Sequence, residues 1–151
     1  MAGGAWATWP WHSERLYSSP WMWAPATLLM IFGLRTYAGI RSGFGARKLS
    51  GEAELRPHEH AQELVTTGLH ARMRHPIYFA HLINMAGWSL GSGLLVCFAL
   101  LAISALGTFP LMVWIEEREL VIRFGPSYRE YQRKVPLLPM VFWMSGRKRT
   151  A

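Results

Sequence analysis

The sequence predicts an all-α fold: an integral membrane helical protein with about three transmembrane helices, followed by amphipathic C-terminal helices on the cytoplasmic side. Three observations predict it. Residues 77–115 contain no Lys, Arg, Asp or Glu. Hydrophobic residues make up 51% of the 151, with a mean hydropathy of +0.11, too apolar for a small water-soluble protein. The formal charge of +7 sits in blocks that flank the apolar runs rather than along a polar face, a pattern suited to anionic headgroups and not to nucleic acid.

Taken in order, 151 residues make one domain, 1–151. Five of the eight tryptophans, Trp6, Trp9, Trp11, Trp21 and Trp23, crowd the start, where indole rings suit a membrane interface. No basic n-region precedes a clean apolar core, so the segment reads as an interfacial or poorly ordered lead-in and not as a cleavable signal. Residues 21–40 form the first span, its apolar centre ending at Arg35, whose long side chain can reach the headgroups from near a helix end. Residues 41–75 turn polar, with Gly43, Gly45, Gly51 and Pro57 as breakers, and read as a cytoplasmic loop.

Residues 76–115 have the length of two crossings, and Leu90-Gly91-Ser92-Gly93 supplies the turn of a transmembrane hairpin. Gly87, Gly91, Ala102, Ala105 and Gly107 are small enough for close helix approach. Residues 116–151 form the cytoplasmic or interfacial tail. It holds an amphipathic helix that Gly125-Pro126 ends or bends, a second short helix capped by Ser127, an apolar segment at 135–144, and the basic end Arg147-Lys148-Arg149.

Charge placement sets the orientation. The stretch 35–74 holds seven Lys and Arg and the tail after Ile115 holds eight, whereas the first 34 residues hold only Arg15. Three spans put both rich segments on one side, which the positive-inside rule makes cytoplasmic. The chain therefore reads as multi-pass, with its polar motifs facing the cytoplasm.

Those motifs carry the chemistry. Arg72, Arg74, His75 and Tyr78 concentrate donors where His75-Pro76 starts an apolar helix; a helix start alone would account for the proline, and the same start favours a bound carboxylate. Glu116-Glu117 follows the last apolar run. It suits a solvated pair marking the membrane exit, or a carboxylate that holds an ammonium or sulfonium. Neighbours on a helix point about 100° apart, so at most one of the two is expected in a shared pocket.

His58, His60, His70, His75 and His81 show no recognised zinc spacing, and no metal is expected. Cys97, the single cysteine, lies in an apolar run and reads as a small buried hydrophobe. No phosphate loop, nucleophile elbow or Ser/His/Asp arrangement is present, so phosphoryl transfer and serine hydrolysis have no support.

Leu64-Val65-Thr66-Thr67-Gly68, Arg74-His75-Pro76-Ile77-Tyr78, Glu116-Glu117 with Leu120, Phe124-Gly125, Tyr128, Tyr131 and Val135-Pro136 occur in the order and at the separation found in a known group of enzymes. Over residues 62–139 the chain resembles the isoprenylcysteine carboxyl methyltransferase and phospholipid methyltransferase superfamily of integral membrane enzymes. The resemblance implies S-adenosylmethionine as methyl donor, and a lipophilic small molecule or lipid-modified substrate as acceptor. It also implies cofactor contacts from Gln62, Glu63, Leu64, Val65, His70, His75, Pro76, Ile77, Tyr78 and Glu116. His70 and Glu117 are the candidates for catalytic assistance.

Two positions depart from the family pattern. His70 stands where the family usually has Tyr, and Met112 stands where the prenylcysteine enzymes carry an arginine one turn before the glutamate. The reading is an S-adenosylmethionine-dependent methyltransferase of the isoprenylcysteine type. A phospholipid amine N-methyltransferase and a catalytically inactive membrane scaffold are the alternatives, and a sterol-reductase-like protein using NADPH is a more distant one.

Overall fold

The computed structural model describes residues 13–43 and 64–139. Among them every regular element is helical. The elements are α1 (Trp23–Gly43), preceded by a 3-10 turn at Pro20–Met22, a 3-10 turn at Gly68–Ala71, α2 (Pro76–Ser92), α3 (Leu95–Ile103), a π-helical turn at Ser104–Thr108, α4 (Phe109–Phe124) and α5 (Pro126–Lys134). The chain divides into two compact units, Met1–Leu34 with Ala80–Met112, and Arg35–Phe79 with Val113–Ala151.

In the first unit, glycines let α1 and α2 meet at backbone distance. A Cβ on Gly87 would lie 2.7 Å from Met30 Cγ and 3.0 Å from the Ala26 carbonyl oxygen, and one on Gly91 would lie 2.6 Å from the Trp23 ring. Gly107, expected at the same kind of contact, faces open space, with nothing within 4 Å of a Cβ built there. Around the contact, Ala26, Ala80 and Ser89 are fully buried.

The expected turn is present, with Gly93 in the left-handed region at φ +65. The chain just before α1 latches it. Leu16 N–H donates to Gly93 O at 2.9 Å, Leu95 N–H donates to Glu14 O at 3.0 Å, and Tyr17 Oη donates to Leu90 O at 2.6 Å. The lead-in from residue 13 onward is therefore tied to the hairpin turn by backbone pairing, which its unpatterned sequence did not announce. Trp6, Trp9 and Trp11 lie outside the described residues.

From Leu95 to Phe124 the helix continues for 30 residues through the π turn. The ladder loosens where it must, because Pro110 has no N–H to offer the carbonyl four residues back. At 1.5 Å per residue the rod is about 45 Å long, more than the hydrocarbon thickness of a bilayer. Among the described residues it is the one helix both long and apolar enough to cross a membrane. α1 has the length, but Arg35 and Thr36 dilute it, and α2 is 17 residues long.

In the second unit α5 is amphipathic as expected. Tyr128 and Tyr131 are buried one turn apart, and with Val135 they form a core against Leu64, Leu120, Val121 and Phe124. Gly125, at φ +55, is the N-cap of α5, and Pro126 takes its first position. Ser127 thus lies inside the first turn and is not the cap, because the proline already starts the helix. Arg74 N–H donates to Pro136 O at 3.0 Å, which fastens the residues leading into α2 onto the segment after α5.

Candidate active site

The site lies within the second unit, where the start of α2, the last turns of α4 and the α5 helix converge on one carboxylate. Glu117 Oε1 accepts from Tyr128 Oη at 2.7 Å and lies 2.7 Å from His75 Nε2. Its Oε2 accepts from Arg74 Nη1 at 2.8 Å and from Gln132 Nε2. Each oxygen thus has two donors, and the side chain is 15% exposed. A carboxylate with four partners is held in one orientation and has little acceptor capacity left.

His75 is buried and gripped on both edges. Its Nδ1 lies 3.4 Å from Glu116 Oε2 while its Nε2 faces Glu117. Ionised carboxylates only accept, so a ring with one at each nitrogen is favoured as the doubly protonated imidazolium. Burial pulls the His75 pKa down, but the hydrogen bonds to Glu116 and Glu117 outweigh it and hold the group above the ordinary histidine value.

Both glutamates therefore reach the same ring, where at most one was expected. The 100° between them on α4 is real, yet an imidazole presents its two nitrogens on different edges, so carboxylates splayed that far apart approach it from different sides. The two differ in exposure. The Glu116 side chain is 44% exposed against 15% for Glu117.

His70, in the 3-10 turn before α2, is half-buried, and its backbone carbonyl accepts from Tyr131 Oη at 2.6 Å. Burial lowers its pKa, and the positive charge of His75 lowers it further, against a smaller upward pull from Glu116. Tyr128 is driven upward, first by burial and then by donating to Glu117. The Tyr78 ring lies 5.6 Å from that of His75, tilted by 35°.

Among the residues singled out from sequence, His70, His75, Tyr78, Glu116 and Glu117 come together here. Pro76 is fully buried, and Ile77 is exposed. Leu64 packs into the tyrosine core and Val65 is half-buried. Gln62 and Glu63 lie outside the described residues. Gln132 was not foreseen. Its signal was present: it stands four residues after Tyr128 on an amphipathic helix, so the two side chains share a face.

Residues 23–127 match the family described as phospholipid methyltransferase. The chain belongs to the phospholipid methyltransferase family. Among curated relatives, this family member is 35% identical over 111 residues to protein-S-isoprenylcysteine O-methyltransferase B of Arabidopsis thaliana, covering 68% of the chain and 50% of the relative. It is 29% identical over 132 residues to the Homo sapiens protein-S-isoprenylcysteine O-methyltransferase, covering 80% of the chain and 42% of the relative. The Schizosaccharomyces pombe enzyme of the same name is 38% identical over 73 residues, covering 48% of the chain and 31% of the relative. The chain spans about half the length of the first two relatives. No solved structure matches it.

Proposed function

We propose that this chain is an S-adenosylmethionine-dependent membrane methyltransferase of the isoprenylcysteine type, acting on a lipophilic acceptor. The observation that carries the reading is the contrast between the two glutamates. Glu117 is saturated, whereas Glu116 is more open and lies against the same imidazolium at the start of an apolar helix. The donor set fits the cofactor's amino-acid end, with Glu116 available to an ammonium and the start of α2 favourable to a carboxylate.

When bound, the cofactor supplies a methyl group on a sulfonium. The protein's part is to position and to exclude water. Glu117 acts as a positioning residue, fixing His75 through Nε2 so that the other ring edge faces Glu116. His70, shifted toward its neutral form, is the better placed of the two sequence candidates to take a proton from an acceptor that must lose one. Leu64, Val65, Pro76, Ile77 and Tyr78 belong to the same cofactor region, and the family resemblance adds Gln62 and Glu63 to it.

The membrane reading extends the one apolar rod to three crossings, at residues 21–40 and twice within 76–115, with both basic segments cytoplasmic. Domain 1–151 is then one unit of function, taking its acceptor laterally from the bilayer. A second reading, methylation of a phospholipid amine, is favoured by the matching family and by Met112, which leaves position 112 without a guanidinium for an acceptor carboxylate.

Calorimetry in detergent with S-adenosylhomocysteine and with NADPH tests the cofactor. Heat with the first alone supports the proposal, and silence with both favours an inert scaffold. Transfer of labelled methyl to prenylated cysteine analogues against lipid amines then decides the acceptor.

A further inference from the structure

Trp114, Glu117, Arg118, Val121 and Ile122 fall on one face of α4, and with Gln132 of α5 they line an open cleft of about 410 Å³. Its walls are mostly apolar. The Glu117 and Gln132 head groups that reach it are already bound to one another, and Glu117 is further neutralised by Arg74 and His75. Arg118 differs. Its guanidinium carbon lies over the Trp114 ring, 4.1 Å from the centre, a cation–π contact that does not consume its N–H donors. Arg74, Arg123 and Lys134 each pair with a carboxylate, whereas Arg118 makes no ion pair among the described residues.

The cleft begins where the uncharged run ends. Leu111, Trp114, Ile115 and Ile122 are all exposed along this part of α4. An indole with an arginine stacked on it, just past an apolar run, suits the level at which hydrocarbon gives way to headgroups.

We propose that this cleft binds an anionic phospholipid of the surrounding bilayer, with the Arg118 donors on the headgroup phosphate and the acyl chain leaving past Trp114 toward the uncharged run. The inference rests on the reading in which the Leu95–Phe124 rod crosses a membrane. Charge complementarity selects the class. Among the described residues the Arg118 guanidinium makes no ion pair, the Glu117 carboxylate is neutralised by Arg74 and His75, and the chain carries +7 overall. A zwitterionic lipid would bring its own ammonium toward the guanidinium and lose part of the attraction.

The test uses the full chain reconstituted into vesicles containing brominated phosphatidylglycerol or brominated phosphatidylcholine, as wild type, W114F and R118Q. The readout is the Trp114 component of fluorescence, taken as wild type minus W114F. Phosphatidylglycerol should quench it at a lipid fraction about fivefold lower than phosphatidylcholine, the weight of one arginine near an anionic surface. R118Q should erase that preference while leaving thermal unfolding and S-adenosylhomocysteine binding unchanged. Equal quenching by the two lipids in the wild type, or a preference that survives R118Q, overturns the site. A brominated fatty acid that quenches as well as phosphatidylglycerol overturns the phospholipid assignment. Failure of the wild type to float with either vesicle removes the membrane reading and this inference with it, whereas flotation with equal quenching removes the inference alone.

Discussion

His75 Nε2 lies 2.7 Å from Glu117 Oε1, and that contact joins the residue before α2 to the polar end of α4. Arg74, Tyr128 and Gln132 bind the same carboxylate. Four donors from two sequence regions thus depend on one side chain, while Glu116, one residue earlier, carries far less of the structure.

The two glutamates should therefore separate in mutagenesis. E117A strands a buried guanidinium and a buried imidazolium, and its cost is about 3 kcal/mol in denaturant titration in detergent. E116A removes the Nδ1 partner of His75 and should lower the unfolding midpoint by less than E117A, because its side chain is the more exposed of the two, while weakening S-adenosylhomocysteine binding at least about tenfold by calorimetry, through loss of a partly desolvated charge partner. Equal unfolding midpoints for the two variants would contradict the division of labour.

The tyrosines of α5 offer a finer comparison. Y128F removes one donor from Glu117 and leaves the ring buried, so it should cost about 1.5–3 kcal/mol, the range for a hydrogen bond to a charged group. Y131F removes the donor to the His70 carbonyl, a neutral acceptor, and should cost about 1 kcal/mol or less. Thermal unfolding of both variants in one detergent ranks them, and the reverse order would place the weight on the 3-10 turn and not on Glu117.

A pH dependence follows from His75. Its folded-state pKa is raised, because the hydrogen bonds to Glu116 and Glu117 outweigh the downward pull of burial. A group raised in the folded state contributes stability that is fully present below its unfolded pKa of about 6.5 and lost as pH rises through the folded value. The wild-type melting temperature should fall as pH is raised from about 6.5, and H75Q should flatten that slope. A wild-type profile that rises over the same interval would contradict the imidazolium assignment.

Much of this arrangement was legible in the sequence. The uncharged run 77–115 announced the helical hairpin, Gly91 to Gly93 its turn, and Gly125-Pro126 the break before the short helix α5, because each is a local pattern. The roles within the glutamate pair were not legible. Which carboxylate is saturated depends on where Arg74, His75, Tyr128 and Gln132 arrive in space, and sequence spacing along α4 does not encode that. Nor did the lead-in reveal its attachment, since the bonds of Leu16 and Leu95 are made by backbone atoms that every residue possesses.

That attachment can be tested at two glycines which look alike in the sequence. At Gly93 the backbone is left-handed, at φ +65, and a Cβ would stand 2.3 Å from the Tyr17 carbonyl oxygen. G93A must therefore accept a strained backbone, at about 1–2 kcal/mol, and also push away the segment that latches the turn. At Gly107 nothing lies within 4 Å of the added carbon. G107A adds a methyl group to open space on a helical residue, where alanine is favoured over glycine by about 0.5–1 kcal/mol. Thermal unfolding should place G93A well below the wild type and G107A at or above it. A G93A protein as stable as G107A would mean that the turn is not held by the segment around Tyr17.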